Sequence, residues 1–191
     1  MARPKSDDKR NAILAAATQV VAEQGLGAPT ARIAKLAGVA EGTLFTYFAT
    51  KDELLNRLYL ELKEELSEAM LKALPAATHS VRNRLRYSWQ QYVHWGVMFP
   101  EKRKVLAQLG VSDRISEQTK AAGQRGFTEI NALLQESIAS GALRDQPPTF
   151  VGAIMGSLAE TTMDFMARDP GCADEYAASG FEAFWNAIAR K

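Results

Sequence analysis

Apolar residues recur at steps of three and four along nearly the whole chain and almost nowhere alternate. That period is the helical one, so an all-α fold of about nine helices is expected. Glycine and proline divide it. Ser6, with Asp7 and Asp8 behind it, marks the start of a first helix whose inward face is Ile13, Leu14, Ala17, Val20 and Val21, and Gly25 stops it. Thr30 is placed to cap a short second helix ending near Gly38, and a third runs from about Glu41 to Phe48. A fourth starts near Lys51 and carries Leu54, Leu55, Leu58, Tyr59, Leu62 and Leu66 on one stripe toward Pro75. Five more follow: about 80–99, 101–109, one long helix over 113–140, then 147–168 and 173–190.

Residues Thr30 to Lys51 read TARIAKLAGVAEGTLFTYFATK. Two short helices joined by a tight turn at Gly38 meet the needs of a helix-turn-helix. Ile33, Ala34, Leu36, Ala37 and Val39 are expected to form its small inner face, answered by Leu44 and Phe48. Arg32 and Lys35 are left outside, three residues apart on one face.

Composition sets limits on function. The 191 residues carry a net charge of +1, so the chain is no polycation, and nucleic-acid binding would need a local surface. Through Arg57 there are eight Lys/Arg against six acids, an excess of the sign a DNA-binding head requires. The single cysteine, Cys172, allows no internal disulfide and no cysteine-clustered zinc site. Two histidines outside metal spacing, and a Gly25-x-Gly27 pair without a preceding strand, argue against catalysis; neither cofactor nor metal is expected. No apolar run approaches a membrane span and the first ten residues do not read as a signal peptide, so a cytoplasmic setting is expected.

The segment Gly42-Thr-Leu-Phe-Thr-Tyr-Phe-Ala-Thr-Lys51 resembles the signature of the TetR family of transcriptional regulators, as do Ile33-Ala34 and Ala37-Gly38-Val39 at their spacing upstream. The resemblance implies a DNA-binding domain over 1–50 and a ligand-binding and dimerisation domain over 51–191. It implies that Thr30, Thr43, Tyr47 and Lys51 meet phosphates or groove edges, with Arg32 and Lys35 beside them. Glu41, Gly42 and Thr43 open the recognition helix. Phe45 stands where the family often has tyrosine, and Thr46 where it often has a larger side chain, so the operator sequence is left open. The basic residues Arg3, Lys5, Lys9 and Arg10 are candidates for flanking phosphates or a minor groove.

For the remainder, the resemblance implies a homodimer made by the last two helices. Phe150, Ile154, Ser157, Leu158, Phe181, Phe184, Trp185 and Ile188 are its candidates, with the alternative that they are monomer core. It also implies a ligand cavity, for which Tyr59, Leu62, Leu66, Leu85, Trp89, Tyr92, Phe127, Ile130, Leu134 and Met155 are the expected lining. Such a lining suits a hydrophobic or aromatic inducer, cationic ones included. MARPKSDDK, AGVAEGTLFTYFATKDEL and LAETTMDFMARDP are similar to efflux-linked members of the RamR type, whose pocket aromatics Tyr59 and Trp89 match, whereas Gly152 and Met155 depart from that pattern. The function implied is a ligand-released repressor on a palindromic operator, acting on multidrug efflux. The alternatives are control of catabolic or lipid-metabolism genes, or activation.

Overall fold

The computed structural model describes residues 5–76 and 78–190. These are helical almost throughout: α1 (Lys5–Gln24), α2 (Thr30–Leu36), α3 (Glu41–Tyr47), α4 (Lys51–Leu71), α5 (Val81–Met98), α6 (Pro100–Gly110), α7 (Glu117–Gly123), α8 (Thr128–Ala139), α9 (Pro148–Arg168) and α10 (Ala173–Ile188). Single 3-10 turns stand at Arg125–Phe127 and Pro170–Cys172. Extended pairing among the described residues is limited to one bridge between Leu143 and Ala189.

One segment departs from the periodicity. The long helix expected over 113–140 is two helices, α7 and α8, with a 3-10 turn between them. Two glycines explain the break locally. A Cβ on Gly126 would run into the Ser67 side chain, and one on Gly123 would stand 2.8 Å from Tyr59 Cε1. Both glycines thus stand where the backbone approaches side chains of α4 closely, and each also lowers helix stability across the break. The start of α7 is set separately, by Ser116, whose hydroxyl accepts from Thr119 N.

The chain folds as two compact units, 1–64 with 100–124, and 65–99 with 125–191. The first contains α1 to α3, α4 through Glu64, α6 and α7. Its core is built from Ile13, Ala17, Val20 and Val21 of α1, Ile33 and Ala34 of α2, Leu44 of α3, Phe48, and Leu54, Leu55 and Leu58 of α4. Val105 and Leu109 of α6 and Ile115 close it, so the unit holding the head extends past residue 50. Each large side chain buried there contributes about 1.5–3 kcal/mol, and together they fix where the short helices sit.

The second unit packs α9 against α10 and α5, with α8 beside α9. Trp89 is wholly buried and lies nearly parallel to Phe184, centroids 5.8 Å apart, while its indole N–H donates to the Ala177 carbonyl at 2.9 Å. Arg82 and Arg86 of α5 both bond Glu182 of α10, and their guanidiniums lie over Trp185 and Phe181. The α4 helix gives residues to both units.

Candidate nucleic-acid interface

Alanine and a left-handed glycine make the head compact. Ile33 and Ala34 turn inward from α2, and Gly38 at φ +68° reverses the chain, its role requiring a conformation L-residues rarely adopt. Val39 N then donates to the Ala34 carbonyl at 3.0 Å, closing the turn. Leu44 anchors α3 from the inside with no exposed surface, and Phe48 anchors the residue after it. A seven-residue helix thus keeps a fixed face toward solvent despite being far too short to be stable alone.

That outward face is Glu41, Gly42, Phe45 and Thr46, all exposed, with Thr43 and Tyr47 half-buried on either side. The Tyr47 ring packs against the head core, so its position is fixed by burial. Thr46 donates its hydroxyl to the Gly42 carbonyl at 3.0 Å. Lys35 is exposed on α2. Arg32 is exposed as well, with its guanidinium 3.3 Å from Glu23. An exposed pair of this kind contributes at most about 1 kcal/mol and yields readily to a phosphate.

Several expected roles need correction. Thr30 is the first residue of α2 and not its cap; Pro29 holds that place, and the Thr30 hydroxyl donates to Glu41 Oε1 at 2.7 Å, tying α2 to α3. Leu36 does not join the inner face. It is 48% exposed, in a groove with Gln19, Val20, Glu23, Arg32 and Lys35. Lys51 spends one of its donors on the Ala28 carbonyl at 2.6 Å. Its pKa is lowered, by burial first and by the Arg114 charge second, with Asp52 opposing. Arg10 is no tail residue: it lies within α1 and donates to Glu61, which Arg57 also bonds. Burial raises the Glu61 pKa, but the two guanidiniums outweigh it and the net shift is downward. Lys9 is exposed; Arg3 and the Lys5 side chain lie outside the described residues.

Two devices that hold the head were missed. Thr50 accepts from Glu53 N at 3.0 Å and Glu53 accepts from Ala49 N at 2.8 Å, a capping arrangement for α4 that the Thr-x-x-Glu spacing advertises. Asn56 donates to the Arg114 carbonyl and accepts from Ser116 N, fastening the α6–α7 connection to α4. Nothing local in the sequence marks that second clamp.

The candidates outside the head divide between the units. Tyr59 and Leu62 belong to the first unit, and both are buried; burial raises the Tyr59 pKa. Leu66, Leu85, Trp89, Ile130, Leu134 and Met155 are buried in the second, with Tyr92 and Phe127 half-buried. Of the eight residues expected at a dimer face, Phe181, Phe184 and Ile188 are buried in the chain's own core instead. Trp185, Ile154 and Leu158 are half-buried, and Phe150 and Ser157 are exposed. The open surface of α9 runs through Phe150, Gly152, Ala153, Ser157, Thr161 and Phe165, and that of α10 through Ala178, Ser179, Ala183 and Asn186.

Comparison with known proteins agrees with this geometry. The family model for bacterial regulatory proteins of the tetR family matches residues 13–58, from within α1 to the first turns of α4. The fatty acid metabolism regulator protein of Bacillus subtilis is 41% identical over 165 residues, covering 82% of this chain and 83% of that protein. The crystal structure of a TetR family transcription regulator from Marinobacter aquaeolei superposes with a TM-score of 0.87 at 22% identity, each chain fully covered. LfrR of Mycobacterium smegmatis, solved with proflavine bound, matches at 0.69 and 20% identity over 96% of this chain and 99% of its own. Those two structures speak to the fold.

Proposed function

Because this chain belongs to the TetR family of bacterial transcriptional regulators, we propose that it is a repressor that binds a palindromic operator as a homodimer and is released by a small apolar ligand. The observation that carries the reading is α3: a short helix anchored from within by Leu44, offering Glu41, Gly42, Phe45 and Thr46 to solvent. Thr43 and Tyr47 supply hydroxyls, and Lys35 and Arg32 supply charge, for phosphate oxygens on either side of the groove. Lys51 takes part through the donors it does not give to the Ala28 carbonyl, and Thr30 once a phosphate displaces Glu41 as the acceptor of its hydroxyl proton. One such helix reads too few base pairs for useful specificity, and two related by a two-fold read half-sites about 34 Å apart. The small-residue surface of α9 and α10 is the face we assign to the dimer, with Phe150, Ile154, Ser157, Leu158 and Trp185 in it.

Release requires a ligand that prefers a state with the heads displaced, and it weakens DNA binding only by that preference. The ligand is read as hydrophobic, its site drawing on the aromatic and aliphatic side chains of the second unit around Trp89, Tyr92, Phe127 and Met155. Aromatic cations and efflux control form one version; LfrR, a relative of the same fold, holds proflavine. A second version has its own observation, the 41% identical relative that regulates fatty acid metabolism, and it makes the ligand an acyl chain and the targets lipid-metabolism genes. Titrating the protein–operator complex with proflavine in one arm and a long-chain acyl thioester in the other decides between them. Release by neither at saturation would remove ligand response from the account.

A further inference from the structure

The residues that α3 turns outward are an unusual set for reading DNA. Its sequence, EGTLFTY, holds no Arg, Lys, Asn or Gln, the side chains that make paired hydrogen bonds to purine edges. Glu41 is acceptor-only when ionised, and one of its oxygens already accepts from Thr30. Beside the N7 and O6 acceptors of guanine it would be repelled. Thr46 has committed its hydroxyl proton to the Gly42 carbonyl. The second oxygen of Glu41 is left for the amino group of cytosine, and the exposed side chain of α3 that can make no hydrogen bond at all is Phe45. It is 41% exposed while Leu44 before it and Phe48 after it fill the core, and it is absent from the hydrophobic cluster that Tyr47 packs against. A phenyl ring cannot bond a phosphate. On a major-groove floor the one apolar group it matches is the 5-methyl of thymine.

We infer that Phe45 is a specificity-determining residue of α3 and that it reads a thymine methyl in each half-site. The inference rests on the DNA-binding role proposed for α3. Arg32 and Lys35, on α2, then serve the backbone and not the bases, and the discrimination made by Phe45 is apolar in character.

The test uses the full chain and the duplex it enriches from a randomised DNA pool. Each thymine of the half-site is replaced in turn by deoxyuridine, which deletes only the methyl. Loss of one buried methyl is expected to weaken binding about fourfold at one or two positions and to leave the others unchanged. The F45A variant, whose altered side chain is exposed and whose melting temperature serves as the folding control, should bind the thymine duplex more weakly and be indifferent to deoxyuridine at those same positions. F45L should keep part of the preference. Uniform indifference of the wild-type protein to deoxyuridine, or retained sensitivity in F45A, would overturn the inference while leaving DNA binding intact. If the pool yields no enriched sequence, the DNA-reading role of α3 fails, and this inference with it.

Discussion

Lys63 on α4 has its pKa lowered to about 8 by desolvation, and the stem of this side chain lies where Gly123 of α7 offers no Cβ. Below that value the folded protein carries a charge it solvates poorly, whereas the unfolded chain keeps its proton to about pH 10.4. Folding therefore releases a proton between about pH 8 and 10, and stability from this group rises with pH across that window. The smaller lowering at Lys51 acts in the same direction. Above pH 10 the raised pKa of Tyr59 works the other way, because the unfolded chain ionises first. Denaturant melts at pH 7.5, 8.5 and 9.5 should show an ascending midpoint, and Lys63→Met should flatten the rise; an unchanged slope in that variant would place the titration elsewhere. Leu44 gives a second check at this scale. With no exposed surface, its truncation to alanine should cost about 2–5 kcal/mol, and the head should lose its structure well before the second unit does in hydrogen exchange.

Helix boundaries show where sequence was informative and where it was not. Gly25 and Gly38 at positive φ, the Thr50-x-x-Glu53 cap and the Leu stripe of α4 are local signals, and α1 to α4 follow them closely. The break between α7 and α8 is different. Gly123-Gln-Arg-Gly126 is tolerated within a helix at about 1 kcal/mol per glycine, and the close approach of Tyr59 and Ser67 to these two glycines is not marked in the local sequence. Periodicity likewise identified an aromatic face on α10 without saying what covers it. Phe181 and Phe184 meet their own chain, because Gly180 lets α10 press onto Trp89, 2.7 Å from where a Cβ would stand. Replacing Gly180 by alanine should therefore cost about 1–3 kcal/mol by overpacking and lower the melting temperature, whereas alanine at Gly110, where nothing stands within 4 Å of an added Cβ, should not. Equal effects at both would show that α10 has room to move. Within the head, the hydrogen-bonded state of Thr30, Arg32 and Lys51 was beyond sequence reasoning for a related reason: their partners are distant in the chain or are backbone carbonyls.

For the whole molecule, the dimer assigned to α9 and α10 has a direct test. Ser157→Arg puts a guanidinium into a face of Gly152, Ala153 and Thr161, where burial without a partner costs several kcal/mol. The variant should sediment as a monomer and bind operator far more weakly, since each head alone reads one half-site; a dimer that survives it uses another surface. The claim on which everything else depends is that α3 meets DNA through Thr43 and Tyr47. Phenylalanine at position 47 preserves the packed ring and removes only the hydroxyl, so Thr43→Ala combined with Tyr47→Phe leaves the head folded. Fluorescence anisotropy on the enriched duplex should show affinity falling by at least about a hundredfold, charge-assisted hydrogen bonds being lost at both heads, with the dependence on salt unchanged because no cation is removed. Affinity unchanged in that double variant would contradict the account.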